Sequence, residues 1–179
     1  MINEGSVFWF TGLSGSGKTT TARLVAPMLI SSGQRVLILD GDEVRAAFNE
    51  KLGFDRDSVR ENNRRVAALC GQQRRNTDII LVPIISPFAA DRAMVRKLLE
   101  PGFFEVWFSA DLATVMGRDP KGLYAKAKTG EITNMIGYAK THPYERPVSP
   151  DLVVDSGSET PEQSAKHLCG AILSKIGQK

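Results

Sequence analysis

Cysteine is scarce in this chain. Cys70 and Cys169 are its only two among 179 residues, far apart and without the paired spacing of a zinc site or a disulfide framework. Cys70 stands in an apolar, helix-like stretch, the setting of a buried thiol. This usage suits a reducing compartment, and the cytoplasm is the expected location. The opening Met-Ile-Asn-Glu-Gly-Ser has neither the basic nor the apolar stretch of an export signal. No apolar run approaches the roughly 20 residues of a membrane span, so no membrane association is expected. An excess of one charge is also missing. Twenty-three Lys and Arg against 20 Asp and Glu leave a net charge of +3, too little to argue for a nucleic-acid partner. The basic residues are therefore read locally, as anion ligands. Internal repeats and low-complexity tracts are absent. The remainder, 42% hydrophobic and 24% charged, is the composition of a globular protein. The length predicts a single domain over 1–179.

Against these absences stands one complete motif. Gly12, Leu13, Ser14, Gly15, Ser16, Gly17, Lys18 and Thr19 spell G-x-x-x-x-G-K-[ST], followed by Thr20. Backbone N–H groups of such a loop form a nest for phosphate oxygens, the lysine reaches the β- and γ-phosphates, and the threonine hydroxyl can ligate Mg²⁺. The context is right: Val7–Thr11 (Val-Phe-Trp-Phe-Thr) reads as a buried strand, and Thr20–Ile30 carries Ala22, Leu24, Val25, Met28 and Leu29 at helical spacing. The helix aims its positive dipole end at the same anion.

Strand-like and helical runs then alternate. Strands are predicted over 35–40, 78–85, 103–108 and 152–155. Helices are predicted over 42–49, 58–75, 89–99, after a capping Asp111, and over 160–175 with Pro161 in the first turn. Pro83 is awkward inside a central strand and is expected near its end or at an irregularity. Such alternation predicts an α/β fold, a mostly parallel sheet with helices on both faces, whose ligands lie beyond the carboxyl ends of the strands. Those ends deliver Gly12, Asp40-Gly41-Asp42 and Ser86-Pro87 to one rim. The polar, lysine-bearing stretch 118–147 breaks the alternation and is expected to be a mobile lid.

Phosphoryl transfer requires positioning and charge neutralisation more than covalent chemistry. Residues 12–19 would hold the donor phosphates. Of Asp40 and Asp42, one would organise Mg²⁺ and the other would accept a proton from an acceptor hydroxyl, Gly41 allowing a tight turn between them. Arg45 and Lys121 are the favoured anion ligands among the arginines and lysines around the rim. No Asn-Lys-x-Asp base-reading motif occurs, so a small-molecule kinase is preferred to a GTPase switch.

These blocks, with Leu52-Gly-Phe54, Glu61-Asn62, Arg64-Arg65, Ile85-Ser-Pro-Phe88, Arg118-Asp-Pro-Lys-Gly-Leu-Tyr124, Gly130-Glu-Ile132, Pro143-Tyr-Glu145 and Pro150-Asp-Leu-Val-Val-Asp155, resemble the adenylylsulfate kinases from Phe8 to about Asp155. The resemblance implies a P-loop NTPase fold of the nucleoside-monophosphate-kinase type, ATP as phosphoryl donor, Mg²⁺, and a homodimer. It implies phosphorylation of the ribose 3′-hydroxyl of adenylylsulfate. By position, Asp42 would face that hydroxyl and Asp40, with Thr19, would organise Mg²⁺. Arg45, Asn62, Ile85, Ser86, Lys121 and Leu123 would bind adenylylsulfate, Phe54 would stack on its adenine, and Arg118 would lie near the ATP adenine. Ser86 holds the family's position for a phosphoserine intermediate and joins Lys18, Asp40 and Asp42 as a candidate catalytic residue. No neighbouring base activates it, and in-line transfer requires no intermediate, so its simpler reading is a pocket residue.

The chain departs from the family at the acceptor end. Ser58-Val59 replaces a pair whose arginine contacts adenylylsulfate. Asn134 and Met135 lie in the altered lid run Thr133–Tyr138, where Met135 replaces an aromatic residue and its thioether would cover a base face. Two other readings stay open: a kinase for another nucleotide conjugate, and a nucleotide-binding subunit without turnover.

Overall fold

The computed structural model describes residues 4–47 and 52–177. Five strands form one parallel sheet: β1 (Ser6–Thr11), β2 (Val36–Ile38), β3 (Ile79–Pro83), β4 (Phe103–Phe108) and β5 (Leu152–Val154), in the order β2-β3-β1-β4-β5. β1 is the middle strand, and all six of its residues are buried. Its β-branched and aromatic side chains have helices to pack against on both faces. Phe8 and Phe10, with Ile79, Leu81, Val106 and Phe108, form one core with α1 (Lys18–Ser31) and α7 (Pro161–Gly177). Val7 and Trp9, with Ile80 and Val82, form the other with α2 (Gly41–Ala47), α3 (Arg56–Gln73) and α4 (Ala89–Leu99). Pro83 is the last residue of β3, opposite Phe10, as its missing N–H leads one to expect.

The fold class is the predicted one, and α4 and β4 have the predicted ends. Elsewhere the boundaries move for identifiable reasons. α1 starts at Lys18, directly from the glycine loop. α3 starts two residues early because Asp55 caps it, its carboxylate accepting from Ser58 N at 2.9 Å. The last two positions of the helix predicted over 42–49 lie outside the described residues.

The stretch expected as a lid contains the end of α5 (Leu112–Arg118), then α6 (Leu123–Lys128) and a run of turns. It is folded around a core of its own, in which Val115, Tyr124 and Met135 enclose Leu13 from the glycine loop. The Tyr124 hydroxyl donates to Ser14 O at 2.9 Å. The lid and the loop are thus packed as one body.

Candidate active site

The carboxyl ends of β1, β2 and β3 open on a cavity of about 530 Å³. Gly15 and Gly17 have φ of 77° and 93°, in the left-handed region that glycine enters without a steric cost, and so the loop can wrap the start of α1. Lys18 turns its ammonium into the loop, donating to Gly12 O (2.8 Å), Leu13 O (2.7 Å) and Ser16 Oγ (3.3 Å). Burial pushes this amine down from its ordinary 10.5 to about 7, Asp42 and Asp40 opposing the shift and Lys121 adding to it.

Asp40 follows β2 and is buried. Its Oδ2 accepts from Thr19 Oγ1 at 2.8 Å, and its Oδ1 accepts from Asp42 N at 2.9 Å. One carboxylate therefore joins the start of α1 to the start of α2. Asp42 does not cap α2 from outside; it stands within its first turn, with a side chain 74% exposed and Oδ2 3.0 Å from Lys121 Nζ. Gly41 makes the tight passage between them possible: a Cβ there would lie 2.6 Å from Ile84 Cγ1.

Residues 14–19 of the loop, Thr20, Asp40, Asp42, Ile85, Arg118 and Lys121 all line the cavity. The run Ser156–Pro161 lines it too, and Arg118 Nη2 donates to Gly157 O at 3.4 Å. Sequence reasoning overlooked this run. It follows the carboxyl end of β5, so the strand-end rule applied to the first three strands would have found it.

The other expected residues do not line the cavity. Arg45 holds the loop before α3, donating to Leu52 O (3.2 Å) and Gly53 O (2.5 Å), with its guanidinium 4.7 Å from the centre of the Phe54 ring. Phe54 is 48% exposed. Asn62 is buried on α3, and its carboxamide oxygen has no hydrogen-bond partner among the described residues. Leu123 packs on the lid core, and Asn134 is half-buried in an irregular stretch of the lid.

Two of the expected residues are enclosed by the fold. Met135 is buried in the lid core against Leu13 and Val115. Its flexible thioether packs among their side chains there. Ser86 is 1% exposed, and its Oγ accepts from Asn63 Nδ2 at 3.2 Å. A hydroxyl so enclosed serves the framework of the turn. Val59 is also buried. Arg56 and Arg60 are both paired with the buried Asp91, at 2.5 and 3.2 Å.

The arrangement places a phosphate nest, a lysine, a hydroxyl–carboxylate pair and an exposed carboxylate around one cleft. Comparison with known proteins agrees with that chemistry. A profile described as adenylylsulphate kinase matches residues 4–155. An adenylyl-sulfate kinase of Bacillus licheniformis is 43% identical over 167 residues, covering 93% of this chain and 84% of that one. A solved structure of a Mycobacterium tuberculosis APS kinase in complex with AMPPNP and APS superposes with a TM-score of 0.88 at 39% identity, covering 95% of this chain and 98% of that one. A shikimate kinase from Aquifex aeolicus shares the fold alone, with a TM-score of 0.57 at 14% identity, over 96% and 97% of the two chains.

Proposed function

The chain belongs to the adenylylsulfate kinase family, and on that premise we propose that it transfers the γ-phosphoryl group of ATP to the ribose 3′-hydroxyl of adenylylsulfate. The observation that carries the reading is the chain of hydrogen bonds from the Thr19 hydroxyl through the Asp40 carboxylate to the backbone N–H of Asp42. It runs from the phosphate loop to the residue that holds a solvent-facing carboxylate at the cavity mouth.

The glycine loop and Lys18 hold the donor phosphates, and Arg118 lies on the side of the ATP adenine. Thr19 Oγ1 and Asp40 Oδ2, 2.8 Å apart, are hard oxygen donors of the kind Mg²⁺ selects. Among the described residues no group of three His, Cys, Asp or Glu is gathered to hold a metal. That pattern suits an ion taking its remaining ligands from water and nucleotide phosphates. When bound, Mg²⁺ supplies neutralisation of phosphate charge. Asp42 accepts the proton of the 3′-hydroxyl while the 3′-oxygen forms the new bond to the γ-phosphorus and the bond from that phosphorus to the β–γ bridging oxygen breaks, releasing ADP. Lys121 steadies Asp42 and meets the incoming anion. Arg45, Phe54, Asn62, Ile85, Leu123 and Asn134 form the acceptor side, with Phe54 as the adenine platform. The enzyme is a homodimer, the assembly that the family implies, and two buried free thiols suit the cytoplasm.

A second reading, a different nucleotide-conjugate acceptor, is favoured by one observation. The acceptor side has the apolar, buried Val59 where the family resemblance puts an arginine, and Asp91 holds both nearby arginines. Turnover is measured on adenylylsulfate and on a panel of nucleotides with free 3′-hydroxyls. Adenylylsulfate is expected to be the best acceptor, and turnover of another acceptor alone would establish the second reading. Asp42→Asn is expected to abolish transfer while ATP still binds; retained transfer would remove Asp42 from the base role.

A further inference from the structure

Ser86 has a φ of 43°. A residue with a side chain in that region is strained and stays there only where its surroundings impose it. Three of the groups that impose it come from outside the turn. Thr11 Oγ1 lies 2.7 Å from Ile85 O and 3.1 Å from Ser86 O. A threonine hydroxyl has one proton, which these carbonyls take, so the Tyr144 hydroxyl, 3.0 Å away, is the donor to Thr11. Arg92 is buried, with Nη1 donating to Ser86 O and Nη2 to Glu145 O, both at 2.8 Å, and Nε ion-paired with Glu105 Oε1 at 2.5 Å. Glu145 N donates to Pro87 O at 2.8 Å, and Glu145 Oε2 accepts from Ala89 N at 2.7 Å. It thereby caps α4, whose own N-cap residue Phe88 provides no side-chain bond.

We infer that Tyr144, Glu145 and Arg92 are positioning residues that clamp the Ser86 turn to the end of the lid segment and so fix Ile85 in the wall of the cavity. None of the three lines the cavity, whereas Ile85 does. They therefore act through the turn. The clamp lies on the wall assigned above to the acceptor and rests on that assignment. On the donor side, Gly12 N donates to Ile85 O at 3.4 Å, a backbone bond that leaves the clamp's side chains untouched; residues 14–20 and 156–161 make no contact with the clamp in the bonds just described.

Two measurements test the clamp. The first is kinetic. Tyr144→Phe removes one hydroxyl and leaves every backbone bond in place. It is expected to raise KM for adenylylsulfate roughly threefold to tenfold, as expected for one hydrogen bond, with KM for ATP within about twofold. Arg92→Lys keeps the charge beside Glu105 and loses the fork, so the same selective rise should be larger. Glu105→Gln weakens the ion pair but leaves the fork, and should lower the melting temperature without that selectivity. The second is amide hydrogen exchange at residues 85, 86 and 88, expected to accelerate in Tyr144→Phe. Wild-type protein that turns over no adenylylsulfate would reject the substrate reading, and exchange would still decide the clamp. Unchanged exchange in Tyr144→Phe, or KM values for both substrates rising together, would overturn it.

Discussion

Binding of MgATP at pH 8 is expected to draw a proton out of solution. The cause is Lys18. Its amine is held inside the glycine loop, where burial brings it down to about 7. At pH 8 about 0.9 of the molecules then have a neutral amine, about 0.5 at pH 7 and about 0.1 at pH 6. A triphosphate placed against that nitrogen restores the ammonium, because the anion offsets the desolvation cost. The uptake per ATP should follow those fractions. Affinity should be flat below pH 7 and fall about tenfold for each unit above it. The stability of the free protein runs the opposite way. The folded value lies below the ordinary 10.5, so the burial penalty is fully present below about pH 7 and is relieved as the pH rises from there toward 10.5. Calorimetric titration with MgATP in buffers of different ionisation enthalpy measures the uptake, and Lys18→Met in the same buffers should abolish it. A binding enthalpy independent of buffer at pH 8 would refute the reasoning. It would mean that Gly12 O, Leu13 O and Ser16 Oγ keep the amine charged without a ligand.

Ser86→Ala should keep turnover within about tenfold of wild type while losing on the order of 1–3 kcal/mol of stability, since the buried Asn63 amide loses its acceptor. Near-total loss of turnover in a folded, ATP-binding variant would place Ser86 in the chemistry. Met135→Ala should lower stability by about 2 kcal/mol or more through the cavity left in the lid core, read as a fall in the melting temperature. A variant of unchanged stability whose KM for adenylylsulfate alone rose would instead make Met135 a cover for the acceptor base.

The parts legible in the sequence are those governed by neighbours in the chain. β1, the glycine loop and α1 follow one another directly, and α4 and β4 are delimited by nearby turn residues. The Asp40–Asp42 pair could be read because both members sit at one strand end. What escaped reading depends on partners distant in sequence. The role of Met135 is set by Leu13, and that of Ser86 by Asn63, Thr11 and Arg92. The left-handed backbone of Ser86 is unusual for serine, so composition gave no sign of it. Asp91, which holds Arg56 and Arg60, is buried on another helix, so nothing beside those arginines in the chain announced the pairing.

Leu13 belongs to the loop that cradles phosphate and also to the apolar core of the lid, where Tyr124 bonds the next residue's carbonyl. The two regions should therefore open as one cooperative unit. A protease attacking the exposed turns around Thr129 and Lys140 has to wait for an opening that also undoes the phosphate loop. ATP, by holding that loop, should shield cleavage sites it never touches, and the lid's lifetime in a proteolytic environment becomes a measure of how much nucleotide is present.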